Sequence, residues 1–167
     1  IDDIAKLARR TRGAPLPLPA FVQAYYRGVG EEDLQARDCA AFAASAAGTL
    51  KFGAVRPAGE PRVRVFNPQL ARDGWESPHT IVEVVTEDMP FLVDSLAVVL
   101  SDSRLPIQLM IHPVLRIARD RRGKLLSMEE HDSALGTMES WQHVAVPRIG
   151  DPARHEALSQ NILRMLE

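Results

Sequence analysis

The stretch from Thr80 to Asp120 constrains the fold of this chain more than any other part of its sequence. Residues 81–85 put apolar side chains on both faces of an extended segment, which is typical of a central strand that a helix covers on at least one side. Residues 91–104 then repeat apolar side chains at helical spacing, and residues 107–111 alternate between apolar and polar side chains. The stretch therefore predicts a strand, a tight turn, an amphipathic helix and a half-buried strand.

A short acidic turn joins the predicted central strand to the helix. Asp88 and Pro90 stand at the helix entrance, where a carboxylate can accept orphan backbone N–H groups and a proline loses no hydrogen bond. These features predict a helix start on physical grounds alone. Asp94 falls on the side of the helix opposite to the apolar stripe, so we expect that side to face water or a partner.

The rest of the chain supplies further elements around this stretch. Gly123 falls in a charged turn between two strand patterns, where a hairpin requires a residue with positive φ. Asp151 and Pro152 have the residue types of a helix start. The predicted elements are an edge strand at 62–66, a hairpin loop at 120–124, a return strand at 124–128, an exposed polar segment at 129–139, a strand at 141–147 and a helix from 151 onward.

The order strand, helix, strand, strand, strand, helix approximates the split βαβ arrangement of ferredoxin-like domains. The sequence therefore predicts an α+β class with a βαββαβ sheet that has an extra strand in front and would lack its last strand. We predict two parts, a helical annex at 1–56 and the sheet domain at 62–167. Cys39 is expected to be a small buried residue of the annex. The helix patterns of the annex cover residues 1–12, 19–27 and 38–52, with an acidic helical turn at 31–34.

The composition excludes several classes of protein. The 167 residues include 20 basic and 22 acidic side chains, a balance that gives no electrostatic reason to expect nucleic acid or a membrane surface as a partner. No run approaches the roughly 20 apolar residues of a membrane span, so we expect a soluble, cytoplasmic chain. The single cysteine excludes an intrachain disulfide. The chain begins at Ile1 and stops within a helix pattern, and we interpret it as part of a longer polypeptide.

The sequence gives little support for catalysis, metal binding or nucleic-acid binding. Asp94, Ser95 and His112 have the residue types of a hydrolytic triad, but no glycines flank the serine to form the strained turn that exposes such a nucleophile. The five histidines form no H-x-x-x-H or H-E-x-x-H motif, and the G-x-G-x-x-G fingerprint is absent. Phe66 and Trp141 alone do not make a base-stacking platform. We therefore predict no catalytic residue, no metal, no nucleic acid and no bound cofactor within the chain.

The residues of the acidic turn carry a resemblance to a known family. Asp88-Met89-Pro90-Phe91-Leu92-Val93 resembles the Asp-x-Pro-Gly-Leu-Leu pattern of ACT-type regulatory domains. The longer run DMPFLVDS, followed by IHPVLRIARDRRGKL and ESWQHVAV, is similar to the amino-terminal region of the large bacterial NAD-specific glutamate dehydrogenases. The similarity is close over residues 62–167 and loose before them.

This resemblance implies an ACT-like domain of a parent oxidoreductase that converts L-glutamate, NAD and water to 2-oxoglutarate, ammonia and NADH. It also implies that the catalytic groups and the NAD site lie beyond Glu167. The chain itself would then be a non-catalytic domain for regulation or assembly. Its partners would be other domains of the same chain within a homo-oligomer, together with an amino-acid effector. The alternative is a stand-alone ACT-type module that senses an amino acid.

ACT-type domains often bind their effector at the loop that follows the first strand. Phe91 stands where the pattern usually has glycine, the residue type that lets a ligand approach the backbone closely. Two alternatives stay open: the corner binds an effector, or Phe91 plugs the site or packs against another domain. The candidate residues for either contact are Asp88, Met89, Pro90, Phe91, Leu92, Asp94, Gln108 and His112.

Overall fold

A computed structural model describes residues 1–9, 14–35 and 37–167. The end of the helix predicted at 1–12 therefore lies outside the described residues. Asp38 and Asp151 cap the two longest helices, each accepting a hydrogen bond from a backbone N–H of the first turn. The elements are α1 (Asp2–Ala8), α2 (Leu18–Tyr26), α3 (Glu31–Leu34), α4 (Cys39–Phe52), β1 (Arg62–Phe66), α5 (Leu70–Asp73), β2 (Thr80–Glu87), α6 (Leu92–Asp102), β3 (Leu109–Ile111), β4 (Val114–Arg119), β5 (Leu125–Glu129), β6 (Thr137–Val146) and α7 (Pro152–Met165).

The strands form one antiparallel sheet in the order β1-β2-β6-β4-β5, and β3 pairs with β6 beside β4. The predicted α+β class and the split arrangement of β2, α6, β3/β4, β6 and α7 are confirmed. In a βαββαβ sheet the last strand would pair with the outer edge of β2. Here β1 occupies that edge. This extra strand, which precedes β2 in the sequence, therefore takes the position of the last strand, which the sequence predicted to be missing.

The helices α6 and α7 cover one face of the sheet. Val82 and Val84 of β2 form an apolar cluster there with Leu96 of α6 and Ile162 of α7, and all four side chains are buried. This packing explains the apolar stripe of α6, because the stripe lies against the alternate side chains of the central strand.

The amino-terminal helices cover the opposite face. Ile81 and Val85 of β2 and Trp141 of β6 form a second cluster with residues of α1, α2 and α4. The ring of Phe21 contacts Trp141 edge to face, with 5.4 Å between ring centroids, and stacks on Tyr25 at 5.2 Å. β2 is therefore buried on both faces, which is why four of its five central residues, at 81–85, are apolar. The division into domains at 1–56 and 62–167 stays a prediction.

Two expectations about burial are wrong. Glu139, predicted within an exposed polar segment, is fully buried near the start of β6, because two arginines neutralise its carboxylate. Cys39, predicted to be buried, is exposed. It is the first residue of α4, and the apolar stripe of that helix begins only at Phe42.

The hairpin between β4 and β5 has the predicted glycine with positive φ, because Gly123 has φ 81°. A Cβ atom at this position would fall 2.4 Å from the backbone carbonyl of Arg56. We expect Gly123→Ala to lower the free energy of unfolding by about 2 kcal/mol, from left-handed strain and steric overlap together. Gly59→Ala is the matched control, because Gly59 has φ 73° but open space around it. Urea denaturation checks the prediction, and equal losses in the two variants would contradict the steric part.

Candidate functional site

The corner between β2 and α6 is formed mainly by backbone contacts. The N–H of Asp88 donates to the carbonyl of Met138 at 2.9 Å, which prolongs the pairing of β2 with β6. Phe91 occupies the N-cap position of α6 in the left-handed conformation, and no side chain caps the helix. The prediction that Asp88 caps this helix is therefore wrong. Asp88 comes too early in the chain, because a capping side chain belongs to the residue that directly precedes the first helical turn, which here is Phe91.

The side chain of Phe91 projects into solvent. It is 76% exposed, and the neighbouring Met89 is 39% exposed. Leu92, by contrast, is buried beneath the first turn of α6. The aromatic ring is therefore largely exposed rather than packed against the residues that the structure describes. A contact of Phe91 with another domain or with an effector stays a prediction.

The structure does not bring all eight candidate residues together. The backbone N–H of Gln108 donates to the carbonyl of Ala145 at 2.8 Å, whereas Asp88 pairs with Met138 at the other end of β6. At about 3.3 Å per residue, the seven steps between those two partners separate the two ends by roughly 23 Å. His112 is exposed in the short gap between β3 and β4. Asp88 to Asp94 therefore form one group, and Gln108 belongs to a different surface.

A buried polar cluster lies between α4 and the sheet. The Oε1 atom of Glu83 accepts hydrogen bonds from the hydroxyl of Thr49 at 2.7 Å and from Nδ1 of His143 at 2.9 Å, and Oε2 accepts from Nε of Arg64 at 2.5 Å. Nη1 of Arg37 lies 3.5 Å from the other ring nitrogen of His143. An arginine donates only, so this arrangement fits a neutral imidazole that donates to Glu83 and accepts from Arg37.

The electrostatics of this cluster favour a charged carboxylate and a neutral imidazole. Burial raises the pKa of Glu83, but the hydrogen bond from His143 and the charge of Arg64 outweigh it and leave that pKa below its ordinary value. Burial lowers the pKa of His143 by more than the neighbouring carboxylate raises it. Both groups therefore keep fixed protonation states at neutral pH.

A second buried cluster is centred on Glu139. Its carboxylate accepts two hydrogen bonds from Arg119, at 2.7 and 2.9 Å, one from Arg56 at 2.8 Å and one from the indole of Trp141 at 3.1 Å. Burial alone would raise the pKa of this carboxyl, but the bonds from the two arginines hold it below its ordinary value. The arginines thereby link the loop before β1 to the β4–β5 hairpin.

These clusters were missed by the sequence predictions, although one signal was present. Glu83 interrupts the apolar run at 81–85 of the central strand, and a charged residue at such a position requires a buried partner. The sequence around His143, Arg56 and Glu139 gave no indication that these side chains are partners of buried groups. Within residues 1–9, 14–35 and 37–167, no group of three or more His, Cys, Asp or Glu side chains could hold a metal ion.

Comparison with known proteins identifies the family. The model of the ACT1 domain of glutamate dehydrogenase matches residues 21–162. The chain belongs to this family. The ACT1 domain is 34% identical over 149 residues to an NAD-specific glutamate dehydrogenase of Halomonas elongata. The aligned region covers 87% of this chain and 9% of that protein. It is 34% identical over 109 residues to the enzyme of the same name from Pseudomonas aeruginosa, covering 64% of this chain and 7% of the relative.

The ACT1 domain thus spans less than a tenth of the length of these two curated relatives. No solved structure matches it significantly. The predicted resemblance, to an ACT-like region of NAD-specific glutamate dehydrogenases, is confirmed. No helix in the described part of the chain is long and apolar enough to cross a membrane.

The ACT1 domain has a strained residue at its corner, and glycine should relieve the strain. Phe91 has φ 64°, a conformation that disfavours side chains with a Cβ atom. We expect Phe91→Gly to raise the free energy of unfolding of the isolated domain by about 1 kcal/mol. Phe91→Ala is the matched control, because it removes the ring but keeps the strain. Thermal unfolding should place the glycine variant about 2–4 °C above the alanine variant, and equal midpoints would contradict the prediction.

Proposed function

We propose that this ACT1 domain is a non-catalytic domain for regulation or assembly of a cytoplasmic NAD-dependent glutamate dehydrogenase. The parent enzyme would convert L-glutamate, NAD and water to 2-oxoglutarate, ammonia and NADH, with its catalytic groups and its NAD site outside these residues. Other domains of the same polypeptide, within a homo-oligomer, would be the partners of the domain.

The observation that carries the proposal is the exposed, strained Phe91. A large aromatic side chain in the left-handed conformation costs free energy, and in the isolated domain 76% of this side chain remains exposed to water. A contact with another domain would offset that cost, because it would remove the ring from water. The buried acids support the non-catalytic part, since both oxygens of Glu83 and of Glu139 accept hydrogen bonds from side chains of the same domain.

Substitution of Phe91 in the full-length dehydrogenase tests the assembly role. We expect Phe91→Asp to weaken assembly or to change the dependence of the rate on glutamate concentration, because a carboxylate cannot enter an apolar contact without a partner. Leu70→Asp is the control, because Leu70 is 62% exposed in α5, away from the corner. Analytical ultracentrifugation and steady-state kinetics provide the measurements. Identical behaviour of both variants and the unmodified enzyme would contradict an interdomain role for Phe91.

The non-catalytic part has its own test. The isolated ACT1 domain should form no NADH from glutamate and NAD, whereas a glutamate-dependent rate above that of buffer would overturn this part of the proposal. A stand-alone amino-acid sensor is the second candidate function. The observation that favours it is an open cleft beside Gln108, at the opposite end of the sheet from Phe91.

A further inference from the structure

The outer face of α6 presents a regular row of exposed side chains. Asp94, Val98 and Asp102 are exposed, whereas the leucines of the same helix are buried on the opposite side. Their spacing of four residues places the three side chains in one row along the helix. In contacts between helices, a row at i, i+4 and i+8 is the ridge that packs into a groove of the second helix. The outer face of α6 therefore has the form of a helix-packing surface.

Apolar side chains are exposed on this face and next to it. Val98, at the middle of the row, is 59% exposed. Phe91, the N-cap residue of α6, is 76% exposed and lies seven residues earlier, about 10 Å along the helix at 1.5 Å per residue. A single exposed valine is ordinary, but apolar side chains that are exposed close together mark a surface for contact with a partner. Val98 thus extends the exposed apolar surface of the Phe91 corner along α6.

The charged residues of this face are all acidic. Residues 87–103 include four acidic side chains and no lysine, arginine or histidine. Neither Asp94 nor Asp102 takes part in an ion pair within the described residues. The helix dipole favours Asp94, in the first turn of α6, but disfavours Asp102, whose carboxylate stands at the negative end of the helix. A cation from outside the domain would offset that cost.

This combination of shape and charge discriminates between partners. Nucleic acid and anionic lipids would be repelled by the acidic row, and a second copy of α6 would bring its own Asp94 and Asp102 into the same contact. A helix with an apolar seam between lysines or arginines fits both the ridge and its charge.

We propose that the outer face of α6 docks a basic amphipathic helix from another domain of the same polypeptide. The source is the parent chain, because the matched regions of the two curated relatives are less than a tenth of their length. This inference rests on the proposed assembly role and deepens it, because it names the chemistry of the partner.

Thiol labelling of the full-length dehydrogenase tests whether this face is covered. Val98→Cys places a thiol of similar size at the middle of the row, and Leu70→Cys is the matched control because Leu70 is 62% exposed in α5. Mass spectrometry of the two peptides measures the rate of reaction with a maleimide. We expect the Val98→Cys variant to react at least about tenfold more slowly, since a docked helix must open before the reagent can enter. Equal rates, or disulfide-linked dimers formed through the new thiol, would overturn the proposal.

A charge reversal then tests the chemistry of the partner. Asp102→Lys, added to Val98→Cys, should raise the labelling rate to that of the Leu70→Cys control, because a lysine would meet the cation of the docked helix. The reversal leaves α6 intact, since the helix dipole favours a cation in the last turn. Glu76→Lys is the control reversal, because Glu76 is exposed outside α6, and it should leave the protection unchanged. Protection that survives Asp102→Lys would overturn a basic partner.

The two proposals can fail independently. The assembly role is measured on the oligomer and the kinetics of the Phe91→Asp variant, without reference to Val98. If that variant changes the oligomer while the Val98→Cys variant reacts as fast as its control, the assembly role stands and the helix contact on α6 is overturned.

Discussion

Replacing Glu139 with glutamine should lower the free energy of unfolding by about 3–5 kcal/mol, the usual cost of removing one partner from a buried ion pair. Its carboxylate is fully buried and accepts charge-assisted hydrogen bonds from both Arg56 and Arg119. Glutamine keeps the shape of the side chain but removes the negative charge. Arg56, only 2% exposed, would then keep only the half-exposed carboxylate of Glu87, 3.8 Å from its Nη1, as compensation for its buried charge.

Urea denaturation of the isolated domain measures this loss. Asp3→Asn is the control, because Asp3 also pairs with a cation, Lys6, at 3.1 Å, but both side chains are largely exposed. Surface pairs of this kind contribute little to stability, so the control should unfold at the same urea concentration as the unmodified domain. If Glu139→Gln matches the control, Arg56 has found another partner. Glu87 is the nearest candidate, since its Oε1 atom lies 3.8 Å from Nη1 of Arg56.

Local patterns in the sequence were sufficient to predict most elements of the fold. The apolar stripe of α6, the Asp151-Pro152 start of α7 and the glycine of the β4–β5 hairpin are short-range features. Each is determined by residues within a few positions of one another, because helical spacing, capping and positive φ are local properties of the chain. The position of β1 was not predictable in this way, because its pairing with β2 depends on which sheet edge the rest of the chain leaves free.

The buried clusters depend on contacts between distant residues, and the sequence could not specify them. Glu83 and His143 are 60 positions apart, and Arg56 and Glu139 are 83 positions apart. Only the register of β2 with β6 places His143 opposite Glu83. The same register separates Gln108 from Asp88, which the sequence grouped as one site. Arg37 was missed as a neighbour of the Glu83–His143 pair, because this histidine and Trp75, which its guanidinium contacts in the fold, are distant from it in the sequence.

The neutral state of His143 makes the stability of the fold depend on pH. In the folded chain, burial holds the pKa of His143 below its ordinary value of 6.5, and Glu83, Arg37 and Arg64 are the charged groups that face it. The unfolded chain therefore binds a proton below pH 6.5 that the folded chain does not bind. Stability that is fully present above that pH is lost as the pH falls. Glu83 adds a second loss below its ordinary value of 4.5, because its pKa is also lowered in the folded state.

Between pH 6.5 and pH 5 we expect the free energy of unfolding to fall, by at most about 2 kcal/mol for one proton. Replacing His143 with asparagine, whose amide can still donate to Glu83, should remove this dependence on pH while the loss below pH 4.5 remains. His112→Asn is the matched control, because His112 is exposed and the variant should keep the slope of the unmodified chain. Urea denaturation at half-unit steps of pH measures all three slopes. A slope that survives in His143→Asn would show that other groups take up the proton, and that the Glu83–His143 pair does not control acid stability.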